Sequence, residues 1–461
     1  MPFSNKTRWR LGIGAAALVG VGLVANNVIT QAKETAQAYL FSYPLVMMEL
    51  TKQHQMAAGT STINGLNHRK RFPDARFNSV VSPNVDTLYT LSHFDLRNEP
   101  LVMSIPDTSG RFYMMQIMDA WTNVVASPGT RTIGTGAKTY LITGPTWNGQ
   151  VPAGMEQMRV PTQLAWMIGR IQSSGPKDYA EINDLQNRFK LLPLSAWQGQ
   201  PGAPSPVAMV ALPKLDSSLP PDRQLASWSQ DEFFSTFCRL LPNNPPRAED
   251  AAMLARIKAT GLLSDDCTAQ QSPLQKLGSA LGYKKVLAAL NDSKGLLERL
   301  TTYNGWRIGY DLGEYATRYE QRALVAKIGL GANLAADAIY PNLWKDQDGQ
   351  ALDGNHRYVL HFAKDQLPPV RAFWSLTLYN AAQFLSDNPL NRYALGDRDA
   401  LHYNADGSLD FFIQHAEPQD PAQRANWLPA PQENFSLFLR LYWPEANVLD
   451  KRWLPPVIQR L

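Results

Sequence analysis

Strand-like runs fall into two separate blocks of this chain, with a long helical stretch between them, and that order excludes the alternating pattern of a parallel α/β sheet. In the first block, residues 86–94, 101–105, 111–118 and 139–143 read as strands, punctuated by Pro100, Pro106-Asp107, Ser109-Gly110 and Gly144-Pro145. In the second, residues 357–362, 372–379, 409–415 and 434–442 do so, with Asp348-Gly349, Asp353-Gly354 and Asp406-Gly407 as turn dipeptides. Short runs between such turn signals indicate antiparallel sheets closed into a sandwich or barrel, not βαβ units. Between the blocks the period changes. Ser229-Gln230-Asp231-Glu232 is a capping box, and Phe233, Phe234, Phe237, Cys238 and Leu241 follow at helical spacing.

These signals divide the chain. Residues 1–32 form a signal peptide or anchor, and 33–74 a helical lead-in that Pro44 is expected to break or kink. Residues 75–197 form an N-terminal antiparallel β-sandwich or barrel domain. Residues 198–222 are a proline-rich linker. Residues 223–335 form a central helical region and 336–461 a C-terminal β domain. The expected class is α+β, mainly β. A length of 461 residues with 44% hydrophobic and 18% charged side chains is that of a globular chain of two or three domains.

The amino-terminal segment carries Lys6, Arg8 and Arg10 and no acid, followed by an apolar run from Leu11 to Ala25 that Asn26-Asn27 ends. The run is shorter than the ~20 residues that span a bilayer. It fits the apolar region of a secretory signal, with Thr30-Gln31-Ala32 as a small-residue cleavage site. The expected location is therefore periplasmic or secreted. The alternative is an uncleaved anchor in the inner membrane with the body facing the periplasm. The chain carries +4 overall, and without this segment +1, which argues against a nucleic-acid partner. Cys238 and Cys267 lie 29 residues apart. An oxidising compartment allows them to pair, and two buried free thiols are the alternative.

The run Ser82-Pro83-Asn84-Val85-Asp86-Thr87-Leu88-Tyr89 resembles the signature of a bacterial family called domain of unknown function 1254, as do Arg111-Phe112-Tyr113, residues 119–124 and the glycine-rich segment 129–136. The carboxyl part resembles that family's usual companion, domain of unknown function 1214, in residues 367–370, 372–379, 388–393, 406–409, 426–431 and 440–444. The matches cover roughly 75–195 and 340–455. The resemblance implies two β domains with helices packed between, the C-terminal one jelly-roll-like. It implies no reaction and no catalytic residue.

Several chemistries are absent from the sequence. There is no Gly-x-Ser-x-Gly elbow and no His-Glu-x-x-His pair. Gly12-Ile13-Gly14 lacks the preceding strand and following acid of a dinucleotide fingerprint, and the segment 129–136 has Thr135 where a phosphate loop needs lysine. The seven histidines form no His-x-His pair, although His361 and His415 are placed to meet across neighbouring strands. Asp346, Asp348 and Asp353 fail the spacing of a calcium loop and read as turns. No cofactor and no metal are expected.

What remains is a set of polar groups lodged in apolar strands. Asp86, Tyr89, Arg111 and Asp119 are the candidate catalytic residues, with arginine as a clamp, tyrosine as donor and aspartate as base. Asn84, Tyr113, Arg131, Trp374, Arg392 and Trp427 are candidate ligand-binding residues. Arg131 would face an anion from its glycine-rich loop, and the tryptophans would stack on a sugar. Tyr379, Asn391, Asn426, Arg440 and Trp443 complete the C-terminal set. The alternative is that these groups cancel one another inside the core. The functional expectation is an exported protein handling a polar, anionic or carbohydrate-like small ligand or glycan, either as a metal-independent acid/base enzyme or as a noncatalytic envelope-associated binding or structural oligomer. The 12 Trp, 17 Tyr and 17 Phe suggest a homo-oligomer.

Overall fold

A computed structural model describes residues 5–200, 208–292, 295 and 301–461, with side chains from residue 23 onward. Part of the expected proline-rich linker (201–207), part of the expected helical region (293–294 and 296–300) and the first four residues of the expected signal or anchor lie outside the described residues.

The chain opens with one helix, α1 (Asn5–Ala57). Pro44 lies inside it and does not end it, so the expected break is absent. A proline inside a helix costs on the order of 3 kcal/mol. Residues 41–53 are all buried, Phe41, Leu45, Val46 and Leu50 among them. Burying one large apolar side chain contributes roughly 1.5–3 kcal/mol, so packing outweighs the missing hydrogen bond.

The N-terminal β domain follows. Its strands are β1 (Asn67–His68), β2 (Thr87–Asp95), β3 (Leu101–Ile105), β4 (Tyr113–Asp119), β5 (Val124–Ala126), β6 (Lys138–Thr143), β7 (Glu156–Arg159), β8 (Leu164–Gln172) and β9 (Lys190–Pro193), with helix α2 (Tyr179–Arg188) before the last. They form a five-stranded sheet, β1-β2-β8-β4-β5, and a four-stranded sheet, β7-β6-β3-β9. Leu88, Phe94, Met103, Ile105, Tyr113, Ile117, Ile142, Met167 and Ile171 share one core with Ile182 and Leu185 of α2. This is an open sandwich and not a closed barrel.

The helices α3 (Gln230–Leu240), α4 (Ala251–Ala259), α5 (Pro273–Asn291) and α6 (Tyr319–Ile328) pack around α1. The lead-in and the helical region therefore share one helical core. The capping box forms: Ser229 N–H donates to Glu232 at 2.7 Å and Glu232 N–H to Ser229 Oγ at 3.3 Å. Cys238 of α3 is joined to Cys267, with Cα atoms 5.5 Å apart. A cross-link closing a loop of that length contributes roughly 3–4 kcal/mol through the unfolded chain.

The C-terminal domain begins with β10 (Thr302–Tyr303) and β11 (Trp306–Arg307) and continues through β12 (Ala338–Ile339), β13 (Asn342–Leu343), β14 (Tyr358–Phe362), β15 (Val370–Asn380), β16 (Ala394–Gly396), β17 (Leu409–Gln414), β18 (Trp427–Pro429), β19 (Phe435–Pro444) and β20 (Ile458–Arg460). A seven-stranded sheet, β10-β11-β13-β19-β15-β16 with β12 also on β19, faces a four-stranded sheet, β18-β17-β14-β20. Leu376, Leu378, Leu437, Leu439 and Leu441 share their core with Tyr358, Leu360, Phe362, Phe411 and Ile413. The fold is α+β as expected, with about 31% helix and 24% strand. Helix outweighs strand largely because α1 alone is 53 residues long.

Candidate functional site

The site follows from alternation on two paired strands. β15 and β19 are antiparallel, with Phe373 opposite Tyr442, Ser375 opposite Arg440, Thr377 opposite Phe438 and Tyr379 opposite Ser436. Side chains two apart share a face. The leucines of both strands turn into the C-terminal core. Phe373, Ser375, Thr377, Tyr379, Phe438, Arg440 and Tyr442 therefore occupy the other face, which the N-terminal domain covers.

The covering segment is Ser82–Tyr89. Ser82 N–H donates to the Gln383 carbonyl at 2.7 Å, and the Tyr379 hydroxyl donates to the Pro83 carbonyl at 2.6 Å. Asn84 donates through Nδ2 to the Tyr442 hydroxyl at 2.6 Å, while its Oδ1 accepts from the backbone of Asp86 and Thr87 at 2.7 and 3.0 Å. Asp86, 1% exposed, accepts from Ser375 Oγ at 2.6 Å and is paired with the Arg398 guanidinium. Arg398 also donates to the carbonyls of Asp86 and Ser173, and it lies 4.4 Å over the Phe373 ring.

Beneath this latch lie two more arginines. Arg440, 2% exposed, donates to Thr377 Oγ1 at 2.8 Å, to the Tyr379 hydroxyl at 2.6 Å and to the Ser82 carbonyl at 3.2 Å. Arg170, 5% exposed, comes from the outer face of β8 and reaches the Tyr89 hydroxyl at 3.3 Å. Among the described residues Arg170 Nη1 and Arg440 Nε have no hydrogen-bond partner. Tyr340 lies under the Arg440 guanidinium at 5.3 Å. Burial raises the Tyr340 phenol, against the opposing pull of Arg170 and Arg440, so it stays neutral. Burial likewise pushes the Tyr379 phenol up to about 12 despite Arg440. Among the described residues no carboxylate hydrogen-bonds to Arg170 or Arg440; Asp86, whose charge acts on Arg440, is held by Arg398.

The four residues expected to act together do not share one space. Asp86 and Tyr89 belong to the joint. Arg111 donates to Asp178 at 2.9 Å, to Glu181 at 2.8 Å and to the Gln172 carbonyl at 3.1 Å. Asp119 is fully buried among the helices. Its Oδ1 accepts from the backbone of Trp121 and Asn123 at 3.0 and 2.9 Å, and its Oδ2 meets Arg247 at 3.3 Å. Burial raises its pKa. A register shift between Ile117 and Met118 marks the irregular end of the strand that carries it.

The other expected ligand groups need correction too. Tyr113 points into the N-terminal core, fully buried. Arg131 is a brace: it pairs with Asp337 at 2.6 Å and does not face an open anion nest. Trp374 and Trp427 are each 4% exposed, and Trp427 Nε1 donates to the Gln414 carbonyl at 2.8 Å, so neither ring offers a face to a sugar. Trp374 lies on the leucine side of β15, the opposite parity from the joint. Arg392 caps the helix Pro421–Ala425 through the carbonyls of Arg424, Ala425 and Trp427. His361 bonds Asp410 at 2.6 Å while His415 bonds the Ala430 carbonyl, so the two histidines do not meet. Asp346 and Asp353 serve their own turns. Among the described residues no group of three His, Cys, Asp or Glu could hold a metal.

The sequence reading missed Arg170, Tyr340, Ser375, Arg398 and Tyr442. The signal was present for Ser375 and Tyr442: in residues 373–379 and 437–442 every second position is leucine or tryptophan, which assigns the intervening polar and aromatic groups to one other face. Nothing local marks Arg170 or Arg398.

The arrangement defines a protein of two β domains latched by a loop-to-sheet joint of buried arginines and tyrosines. Residues 63–193 match the model described as protein of unknown function DUF1254, and residues 337–446 match the one described as protein of unknown function DUF1214. The chain belongs to the two-domain DUF1254/DUF1214 proteins. Every joint residue named above lies inside one matched segment or the other. A crystal structure of a Vibrio parahaemolyticus protein is similar across 94% of this chain and 100% of that one, at 23% identity and a TM-score of 0.73, a likeness of fold. A Burkholderia cenocepacia protein aligns over 95% of both chains at 11% identity and a TM-score of 0.45. No curated protein matches the sequence.

Proposed function

We propose that this is an exported protein that holds a small anion, a carboxylate, phosphate or sulfate group, at the joint between its two β domains. One observation carries the reading: Arg170 and Arg440 are buried there with unpartnered N–H groups and no carboxylate of their own. A guanidinium remains charged at any ordinary pH. Burying it without a counter-charge is costly, and phenols and carbonyls offset that only in part. An anion taking Arg170 Nη1 and Arg440 Nε would complete the charge balance and both donor sets. Export is supported by the basic segment and apolar run at the amino terminus and by the Cys238–Cys267 bond, which suits an oxidising compartment.

The test is thermal unfolding with phosphate, sulfate, acetate and citrate at matched ionic strength. A ligand at about one hundred times its Kd stabilises by roughly 2.7 kcal/mol. At least one anion raises Tm saturably in the wild type. Arg170→Met unfolds at an equal or higher temperature without anion and does not respond to it. An Arg170→Met variant that keeps the response, or a wild type indifferent to all the anions, overturns the reading. The latter result leaves a ligand-free structural joint, which the continuous bonding of Ser82–Asp86 favours.

A further inference from the structure

We propose that the protein seats on an anionic lipid bilayer through the first turns of α5 and the part of α1 beside them. Leu274, Leu277 and Leu281 line one side of α5 and are 42%, 52% and 52% exposed. Leu23, Val24 and Ile29 of α1 are 61%, 45% and 54% exposed. The two helices run parallel in close contact. A Cβ on Gly278 would meet Gln31 and the Val28 carbonyl, and one on Gly282 would lie 2.1 Å from the Ala32 carbonyl. Further along, Thr35 bonds Ser279 at 2.9 Å and Tyr39 packs on Tyr283. The exposed leucines of α5 therefore begin level with the point where α1 leaves the body.

Beyond that point the sequence of α1 is apolar back to Leu11 and then basic at Arg10, Arg8 and Lys6. The run is too short to span a bilayer alone. Leucines beside it widen the apolar contact in the manner of an interfacial helix. The charges agree with this occupant. Lys276, Lys284 and Lys285 of α5 are exposed, and the helix has no acidic residue. Anionic headgroups attract such a set, whereas a second copy of the chain on the same face would bring lysines against lysines. The body also holds the segment that a cleavage after Ala32 would remove: Gln31 Nε2 donates to the Thr260 carbonyl and to Ser279 Oγ, each at 2.9 Å. The retained helix and the leucine face form one seat.

The experiment is flotation of the full chain with phosphatidylcholine vesicles, with and without phosphatidylglycerol. The wild type floats with both and prefers the anionic vesicles. Leu274→Ser/Leu277→Ser/Leu281→Ser lowers the floating fraction several-fold, and Lys276→Glu/Lys284→Glu/Lys285→Glu abolishes the preference. Both described cysteines are in the disulfide, so an environment-sensitive dye on Leu277→Cys reports this face alone and shifts to the blue on anionic vesicles even if the triple variants fold poorly. The proposal is overturned if the dye stays in water on vesicles, if the folded leucine variant floats like the wild type, or if the chain is a dimer that the leucine variant makes monomeric.

Discussion

Two buried charge clusters in this molecule differ in their balance. Among the helices, Asp119 and Asp250 stand with Arg247 and Arg322. Arg247 pairs with Asp119, the Tyr319 hydroxyl donates to Asp250 at 3.0 Å, and Arg322 lies between the rings of Phe41, Trp121 and Tyr319 at 5.3–5.5 Å. Positive and negative groups there are equal in number, and both aspartates also accept backbone N–H groups from their own turns. At the joint, Asp86 and, at its edge, Asp397 answer Arg398, while Arg170 and Arg440 face phenols, hydroxyls and carbonyls. Arg322 Nε and Nη2 also lack a partner among the described residues, so the two clusters differ in charge balance and not in unmade hydrogen bonds. An unbalanced one of comparable burial needs a further group, and that is the case for an anion between the domains.

The largest effect is expected where the joint is balanced. Asp86→Ala leaves Arg398 and Ser375 without their acceptor, and breaking such a pair costs about 3–5 kcal/mol. Chemical denaturation measures it, and a loss below about 1 kcal/mol would mean that the pair is not closed in solution. Next comes the same substitution made in both clusters. Arg322→Met removes three ring contacts and the counter-charge of Asp119 and Asp250, and is expected to destabilise by about 2–4 kcal/mol. Arg170→Met, with no acid to abandon, is expected to be neutral or stabilising in the absence of anion. Equal losses for the two variants would erase the distinction drawn between the clusters.

A smaller loss is expected at Asp119→Asn. The amide keeps an acceptor for the Trp121 and Asn123 N–H groups but gives up the charge that meets Arg247. About 1–3 kcal/mol is the scale for a buried hydrogen-bonded charge. Because burial raises this carboxyl, the folded wild type gains stability on protonation that the amide cannot, so the loss is larger in acid than at neutral pH.

The same contrast explains what could be read in the sequence. Turn dipeptides and the capping box act over a few residues, so the two β blocks and the start of α3 were legible. The continuity of α1 was not, because a proline weighs against a helix locally while the packing that overrides it comes from residues 225–290. Asp86 and Tyr89 stand out in their strand as polar groups among apolar ones, and the structure places both at the joint. Asp119 and Arg111 stand out equally and belong elsewhere. Polarity in a strand marks a buried interaction but not its partner: Arg398 lies 312 residues from Asp86. Trp374 was misread because an aromatic residue was judged by type, whereas strand parity decides which face it takes.

The smallest expected effect tests whether the joint carries surplus positive charge at its edge. Asp397 lies beside Arg398 with its side chain 30% exposed, and its carboxyl is pushed up to about 6, chiefly by burial and further by Asp86, against the pull of the Trp374 N–H and Arg398. A carboxyl raised in the folded state holds its proton where the unfolded chain has released it. Between its ordinary value of 3.8 and about 6 the fold therefore loses stability as pH rises, and above that window the loss stands in full. Asp397→Asn keeps an acceptor for the Trp374 N–H and removes the titration. Its Tm should exceed that of the wild type near about pH 7 and converge with it below about pH 4. Parallel curves across that window would show that the Arg398 charge already compensates Asp397, leaving less positive surplus for an anion to neutralise.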